Sequence, residues 1–129
     1  MLKEKIVEYR RIKEKIELQE KKKRFWKDRA VAITSSIEGT PRTNEVSRKI
    51  EQCTLKLDEL ISEINSLTVE LKSIELEIRV GLVAIQDPVQ QSIVEYRVLE
   101  CLPWQEIAGM LSYSLRWTQT LYNRALKNL

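Results

Sequence analysis

Apolar residues recur along most of this chain at alternating spacings of three and four, the period of a helix that buries one stripe. In the first 33 positions they fall at Leu2, Ile6, Tyr9, Ile12 and Ile16, fade across Glu20-Lys21-Lys22-Lys23-Arg24, and resume at Phe25, Trp26, Ala30 and Ile33. No Gly or Pro interrupts the stretch, and its residues are good helix formers, so one long helix is expected from Leu2 to about Ile33. The charged pause should lie either in solvent or against something anionic. Between Thr34 and Asn44, Ser35, Ser36, Gly39, Thr40, Pro41 and Thr43 favour turns, and a loop is expected there.

A second helix should open near Thr43 or Asn44, either of which can cap it. Its apolar positions Val46, Ile50, Cys53, Leu57, Leu60, Ile64, Leu67, Leu71, Ile74 and Ile78 keep the heptad spacing throughout, with Gly81 and Ile85 next in line. About 40 residues at ~1.5 Å each make a rod of about 60 Å, too long to bury its stripe against one small domain. It needs a partner, and the first helix folded back through the loop is the nearest one, giving an antiparallel coiled-coil hairpin. Leu55, Ile61, Val69, Leu76 and Val83 lie off the seam and are expected to face a second copy of the chain, the other option being a monomeric hairpin.

At Asp87-Pro88 the pattern changes. Asp is a favoured N-cap and Pro a favoured first helical residue, so a new helix should run to about Glu100. Leu102-Pro103 breaks it. Trp104 to Leu111 reads as a short helix with Ile107, Ala108 and Leu111 on one face. Ser112-Tyr113-Ser114 is the next turn, and Ser114 can cap a last helix reaching Asn128. The expected class is all-α, with an oligomerising helical hairpin over residues 1–86 and a three-helix domain over residues 87–129.

Composition narrows the function. In 129 residues there is room for one domain or two small units, which excludes a multidomain enzyme. Six Gly and Pro and eight aromatic residues leave little for turns and strands, while 32% charged residues interrupted by 43% apolar ones fit long helices with one buried stripe. Nothing near the start has the apolar run of a secretory signal or a membrane span, so a cytoplasmic location without membrane contact is expected. There is no His, and Cys53 and Cys101 fall on different expected helices, so neither a metal site nor a disulfide is expected. With no Gly-rich phosphate loop, no Cys beside a base and no evident carboxylate pair, the chain is expected to be neither an enzyme nor a cofactor binder.

The last two expected helices, joined by a turn of about three residues, carry the chemistry. In a helix-turn-helix the second helix enters the major groove. The crossing needs a small residue, which Ala108 supplies, and inner anchors, which Leu121 and Ala125 supply with Thr118 in support. The outer face must be free of acids. Arg116, Gln119, Thr120, Asn123 and Lys127 share that face with Arg124 beside them, and the 23 residues after Glu106 hold no Asp or Glu. Arg116, Gln119, Thr120 and Asn123 are the candidates for base edges, and Arg124 and Lys127 for phosphates.

Residues Pro103-Trp104-Gln105-Glu106-Ile107-Ala108-Gly109-Met110-Leu111 and, after the turn, Leu115-Arg116-Trp117-Thr118-Gln119-Thr120-Leu121-Tyr122-Asn123-Arg124-Ala125-Leu126-Lys127 resemble region 4 of bacterial sigma factors, the helix-turn-helix that reads the −35 promoter element. Thr118 stands where that motif usually has an aliphatic anchor, and Ser112 where a turn glycine is frequent. The whole chain, with its charged first helix, Thr34-Ser35-Ser36, heptad helix and Asp87-Pro88 junction, is similar to small phage and prophage regulators of the ArpU/RinA-like group. The resemblance implies a transcription regulator that binds double-stranded DNA as a homo-oligomer, with RNA polymerase as a further candidate partner.

Two other features bear on this reading. Residues 1 to 29 carry twelve basic and six acidic side chains, and Lys21 to Arg24 beside Phe25 and Trp26 are either a solvated face or an auxiliary nucleic-acid surface. Trp104, Tyr113 and Trp117 either stack on DNA or pack inside the domain. Residues 87–129 balance four basic against four acidic groups, so one copy should bind weakly, and pairing through the rods would raise its effective concentration. The competing reading is a coiled-coil adaptor or inhibitor of a host protein such as RNA polymerase.

Overall fold

Helix formers set three and four apart in their apolar positions fold as that pattern dictates. A computed structural model describes residues 2–36 and 44–127. Five helices account for most of them: α1 (Leu2–Ser36), α2 (Asn44–Leu82), α3 (Pro88–Val98), α4 (Trp104–Leu111) and α5 (Leu115–Lys127). Among the described residues there is no strand, and the class is all-α with a long N-terminal helix pair, as expected. No helix there is long and apolar enough to cross a membrane.

Helix α1 runs three residues beyond the expected end at Ile33. The Thr34 hydroxyl donates to the Ala30 carbonyl at 2.9 Å, so a side chain that competes with the helical backbone elsewhere here bonds back into the preceding turn. The rest of the expected loop, residues 37–43, lies outside the described residues.

By packing, the chain divides into two units, residues 1–11 with 71–129, and residues 12–70. In the first, Leu2, Ile6 and Tyr9 of α1 are buried, as are Ile74, Ile78 and Leu82 of α2. The two segments are antiparallel: Lys5 meets Glu77 at 2.8 Å, and Leu2 lies beside Gly81. A Cβ on Gly81 would stand 2.8 Å from Leu2 Cδ1, so the glycine marks a close approach in the seam. The hydrogen bond to Glu77 and its charge hold the Lys5 ammonium above its ordinary pKa. Arg79 reaches Glu75 and, on α3, Glu95, at 3.0 Å each. These carboxylates raise its pKa, although such exposed pairs contribute at most about 1 kcal/mol each.

The α2 helix stops at Leu82, and three-residue hydrogen bonds from Val83, Ala84 and Ile85 tighten its end. Asp87 caps α3 as its sequence predicts, its carboxylate accepting the Val89 N–H at 2.9 Å with Pro88 in the first turn. Ile93, Val94 and Val98 of α3 form the centre against which α4 and α5 pack. Beyond Val98 the backbone leaves the helix through Cys101 at φ 55, where the Leu102 N–H returns to the Tyr96 carbonyl at 3.0 Å. Cys101 is exposed and Cys53 buried, and neither is in a disulfide.

In the second unit α1 and α2 are again antiparallel, and Gln19 Nε2 donates to Glu63 Oε2 at 2.6 Å. Ile12, Cys53, Leu60 and Ile64 are buried, while Ile16, Ile33, Val46, Ile50, Leu57 and Leu67 are only half-buried. The pause in the α1 stripe is bridged by Gln19, Lys23 and Trp26, all half-buried, while Lys21, Lys22 and Arg24 point to solvent. The off-seam residues Leu55, Ile61, Val69, Leu76 and Val83 are all exposed, from 41% to 75%.

Candidate nucleic-acid interface

The α4–α5 corner is built by local chemistry. Helix α4 ends at Ser112, which takes the left-handed conformation at φ 57. The Tyr113 N–H then closes on the Ala108 carbonyl at 3.0 Å, the bond that a left-handed residue at this position permits. Ser112 thus occupies the backbone geometry that glycine usually serves. Two residues on, the Ser114 hydroxyl accepts the Trp117 N–H at 3.1 Å and caps α5, whose first turn holds no acid.

The inner face of α5 has Thr118, Leu121, Tyr122 and Ala125 buried. Ile107 and Ala108 of α4 are buried too, so the anchors and the small crossing residue expected from sequence lie inside. Thr118 is more than a supporting residue, being wholly buried. Its hydroxyl donates to the Ser114 carbonyl at 2.9 Å, which satisfies the polar group that replaces an aliphatic anchor. Tyr122, which the sequence reading left out, is also buried. Its phenol accepts from Arg10 Nη2 at 3.3 Å, and its ring meets Trp104 edge-on at 5.0 Å. The Arg97 guanidinium lies 4.7 Å over Trp104 and donates to the Leu102 carbonyl at 3.1 Å. Trp104 is therefore a packing residue.

Four of the six candidate contact residues, Arg116, Asn123, Arg124 and Lys127, are exposed, and Gln119 and Thr120 are half-buried. With 100° per residue, Arg116, Thr120, Asn123 and Lys127 form the central line of the outer face. Gln119 flanks one side and Arg124 the other. The Thr120 hydroxyl donates to the Arg116 carbonyl one turn back at 2.8 Å. None of the three α5 cations is in an ion pair among the described residues.

One pair was not foreseen. Arg124 lies 5.1 Å over the ring of Trp117, which is 41% exposed. The two are seven residues apart, so their shared face was readable from the spacing. The ring restricts where the guanidinium can point. Around the same corner Met110, Tyr113 and Leu115 are also 38% to 50% exposed, an apolar rim at the start of α5.

The arrangement offers three cations, two amides and a hydroxyl on one acid-free helical face, the groups that bind phosphates and base edges. Among the described residues no cluster of three or more His, Cys, Asp or Glu could hold a metal. No family model, no curated protein and no solved structure matches the chain.

Proposed function

We propose that the chain is a DNA-binding transcription regulator of the phage type, with α4 and α5 as a helix-turn-helix and the long helices as the means of oligomerisation. The observation that carries this reading is the outer face of α5. Arg116, Asn123 and Lys127 project from its centre, no carboxylate shares the helix, and the inner face is committed to packing. In the major groove, Arg116, Gln119, Thr120 and Asn123 read base edges while Arg124 and Lys127 hold phosphates.

The test is a titration of duplex DNA selected from a random pool. About three or four phosphate contacts per subunit give a slope of log affinity against log salt of roughly −3 per subunit. Replacing Arg116 and Asn123 together by Ala removes two of the four base-reading residues, each worth about 1–3 kcal/mol of discrimination, and should weaken both affinity and site preference. If affinity and preference are both unchanged, the reading is wrong.

A second reading has an observation in its favour. The exposed rim of Met110, Tyr113, Leu115 and Trp117 suits a protein partner, and an adaptor or inhibitor docking on RNA polymerase would use it. Such a protein binds polymerase without DNA and shows no steep salt dependence towards duplex.

A further inference from the structure

In the unit of residues 12–70 two helices share a seam that neither can close. Ile16, Ile50, Leu57 and Leu67 remain half-buried, because a pair of helices covers each stripe from one side only. Along one side of this pair runs an open groove of about 490 Å³, with Ser62 and Ser66 of α2 and Leu67 of the seam among its walls. Serines at these positions keep the wall low enough for another helix to approach. Leu18 on the α1 rim is 58% exposed, and Phe25, one heptad further along α1, is 55% exposed. On α2, Leu55 and Val69, at the same heptad position as Ser62, are 60% and 71% exposed. That is far more apolar surface than a solvated flank needs.

The charges of the two rims differ in sign. The α1 side carries Lys15 and Lys22, neither of which is in an ion pair among the described residues. The α2 side carries Glu63 here and, in the adjoining hollow beside Trp26, Glu59 with Lys56 at 3.6 Å, so this rim has two carboxylates against one ammonium and stays acidic on balance. A face with one basic and one acidic edge is complementary to itself after a two-fold rotation, which sets the α1 of each copy against the α2 of the other. The face is also large enough. Each helical segment here is about 40 Å long and two helices span about 20 Å, so on the order of 800 Å² per copy is available, the size of a standard stable interface.

We infer that this groove is where a second copy of the chain docks, closing residues 12–70 of both copies into a four-helix bundle with Leu18, Phe25, Leu55 and Val69 in its interior. The inference deepens the oligomeric part of the proposed function and rests on it. It confines the contact to residues 12–70 and gives Leu76 and Val83, which continue the same α2 stripe in the other unit, no part in it.

Sedimentation of the full chain without DNA tests the inference. The wild type should have twice the chain mass at micromolar concentration, and a monomer overturns the assignment. Leu18→Glu with Phe25→Glu should raise the dissociation constant at least about tenfold, while Leu76→Glu with Val83→Glu leaves it unchanged. The reverse pattern sinks the assignment. Because the first pair could disturb folding, the exposed charges provide a second arm. Lys22→Glu alone and Glu59→Lys alone should each weaken the dimer, and the two together should restore it. Failure of the double variant to recover counts against the proposed pairing of rims. DNA does not enter the measurement, so a monomer that still binds its operator removes only this inference. A dimer indifferent to DNA removes only the regulator reading.

Discussion

Arg10, in the third turn of α1, donates to the phenol of Tyr122 in α5 at 3.3 Å. One residue earlier, the buried Tyr9 hydroxyl donates to the Leu99 carbonyl at the end of α3, at 3.4 Å. The first turns of the chain thus pack in the same unit as the last three helices. Tyr9→Ala should therefore destabilise that unit by about 3–5 kcal/mol, as for other buried aromatic truncations, although it lies 90 residues from Leu99 in sequence. Denaturant unfolding followed by circular dichroism measures it. A fragment of residues 87–129 should melt with lower cooperativity than the whole chain, and an equally sharp transition at the same midpoint would contradict this account.

The turn between α4 and α5 holds a second test. Ser112 carries a side chain at φ 57, a conformation that costs an L residue about 1–2 kcal/mol. Ser112→Gly relieves that strain and loses part of the gain to the greater freedom of the unfolded glycine. A net stabilisation of about 0.5–1 kcal/mol is expected, read as a higher midpoint in urea.

Gln19 occupies the seam of the second unit with its Oε1 buried and accepting no hydrogen bond from the described residues. Leaving such an atom without a donor costs about 1–3 kcal/mol. Gln19→Leu should stabilise the α1–α2 pairing by about 1–2 kcal/mol, because Glu63 is exposed and regains water. A polar layer also fixes register, so the same variant should broaden the distribution of oligomers in sedimentation. A variant less stable than the wild type would mean that the Gln19–Glu63 bond outweighs the buried oxygen.

Trp117 steers Arg124 through the stacking of ring and guanidinium at 5.1 Å. If α5 lies in a groove, Trp117→Ala leaves the charge in place and releases its direction. The expected loss of DNA affinity is about 0.5–1 kcal/mol with the salt slope nearly unchanged. Arg124→Ala should flatten the slope by about one unit instead. Identical salt slopes for the two variants would show that Arg124 touches no phosphate.

Much of the architecture was legible because its rules are local. The heptad spacing from Val46 to Ile78 marks the side of α2 that turns inward, and Asp87-Pro88 and Ser114 place helix starts by hydrogen bonds that span two or three residues. The polar stretch of α1 was not legible, since whether Gln19 and Lys23 face solvent or a seam depends on what α2 brings opposite them. Tyr122 was readable and missed, since its spacing of four from Thr118 and three from Ala125 puts it on the inner face; only its partners Trp104 and Arg10 lay beyond the spacing. At the candidate interface the identity of the exposed residues was readable. The bond from the Thr120 hydroxyl to the Arg116 carbonyl and the ring beneath Arg124 were not, because both are side-chain geometries that spacing permits and does not require.

The two cysteines differ in reach, Cys53 being 1% exposed in the helical seam and Cys101 lying open at the left-handed joint before α4. A maleimide dye added to the native protein should couple at a single position, a few residues from the helix that precedes α5. Its fluorescence would then report on ligands arriving at that end of the molecule without any engineered label site. Loosening the seam uncovers the other sulfur, so the number of dyes taken up per chain, one or two, becomes a direct gauge of local opening.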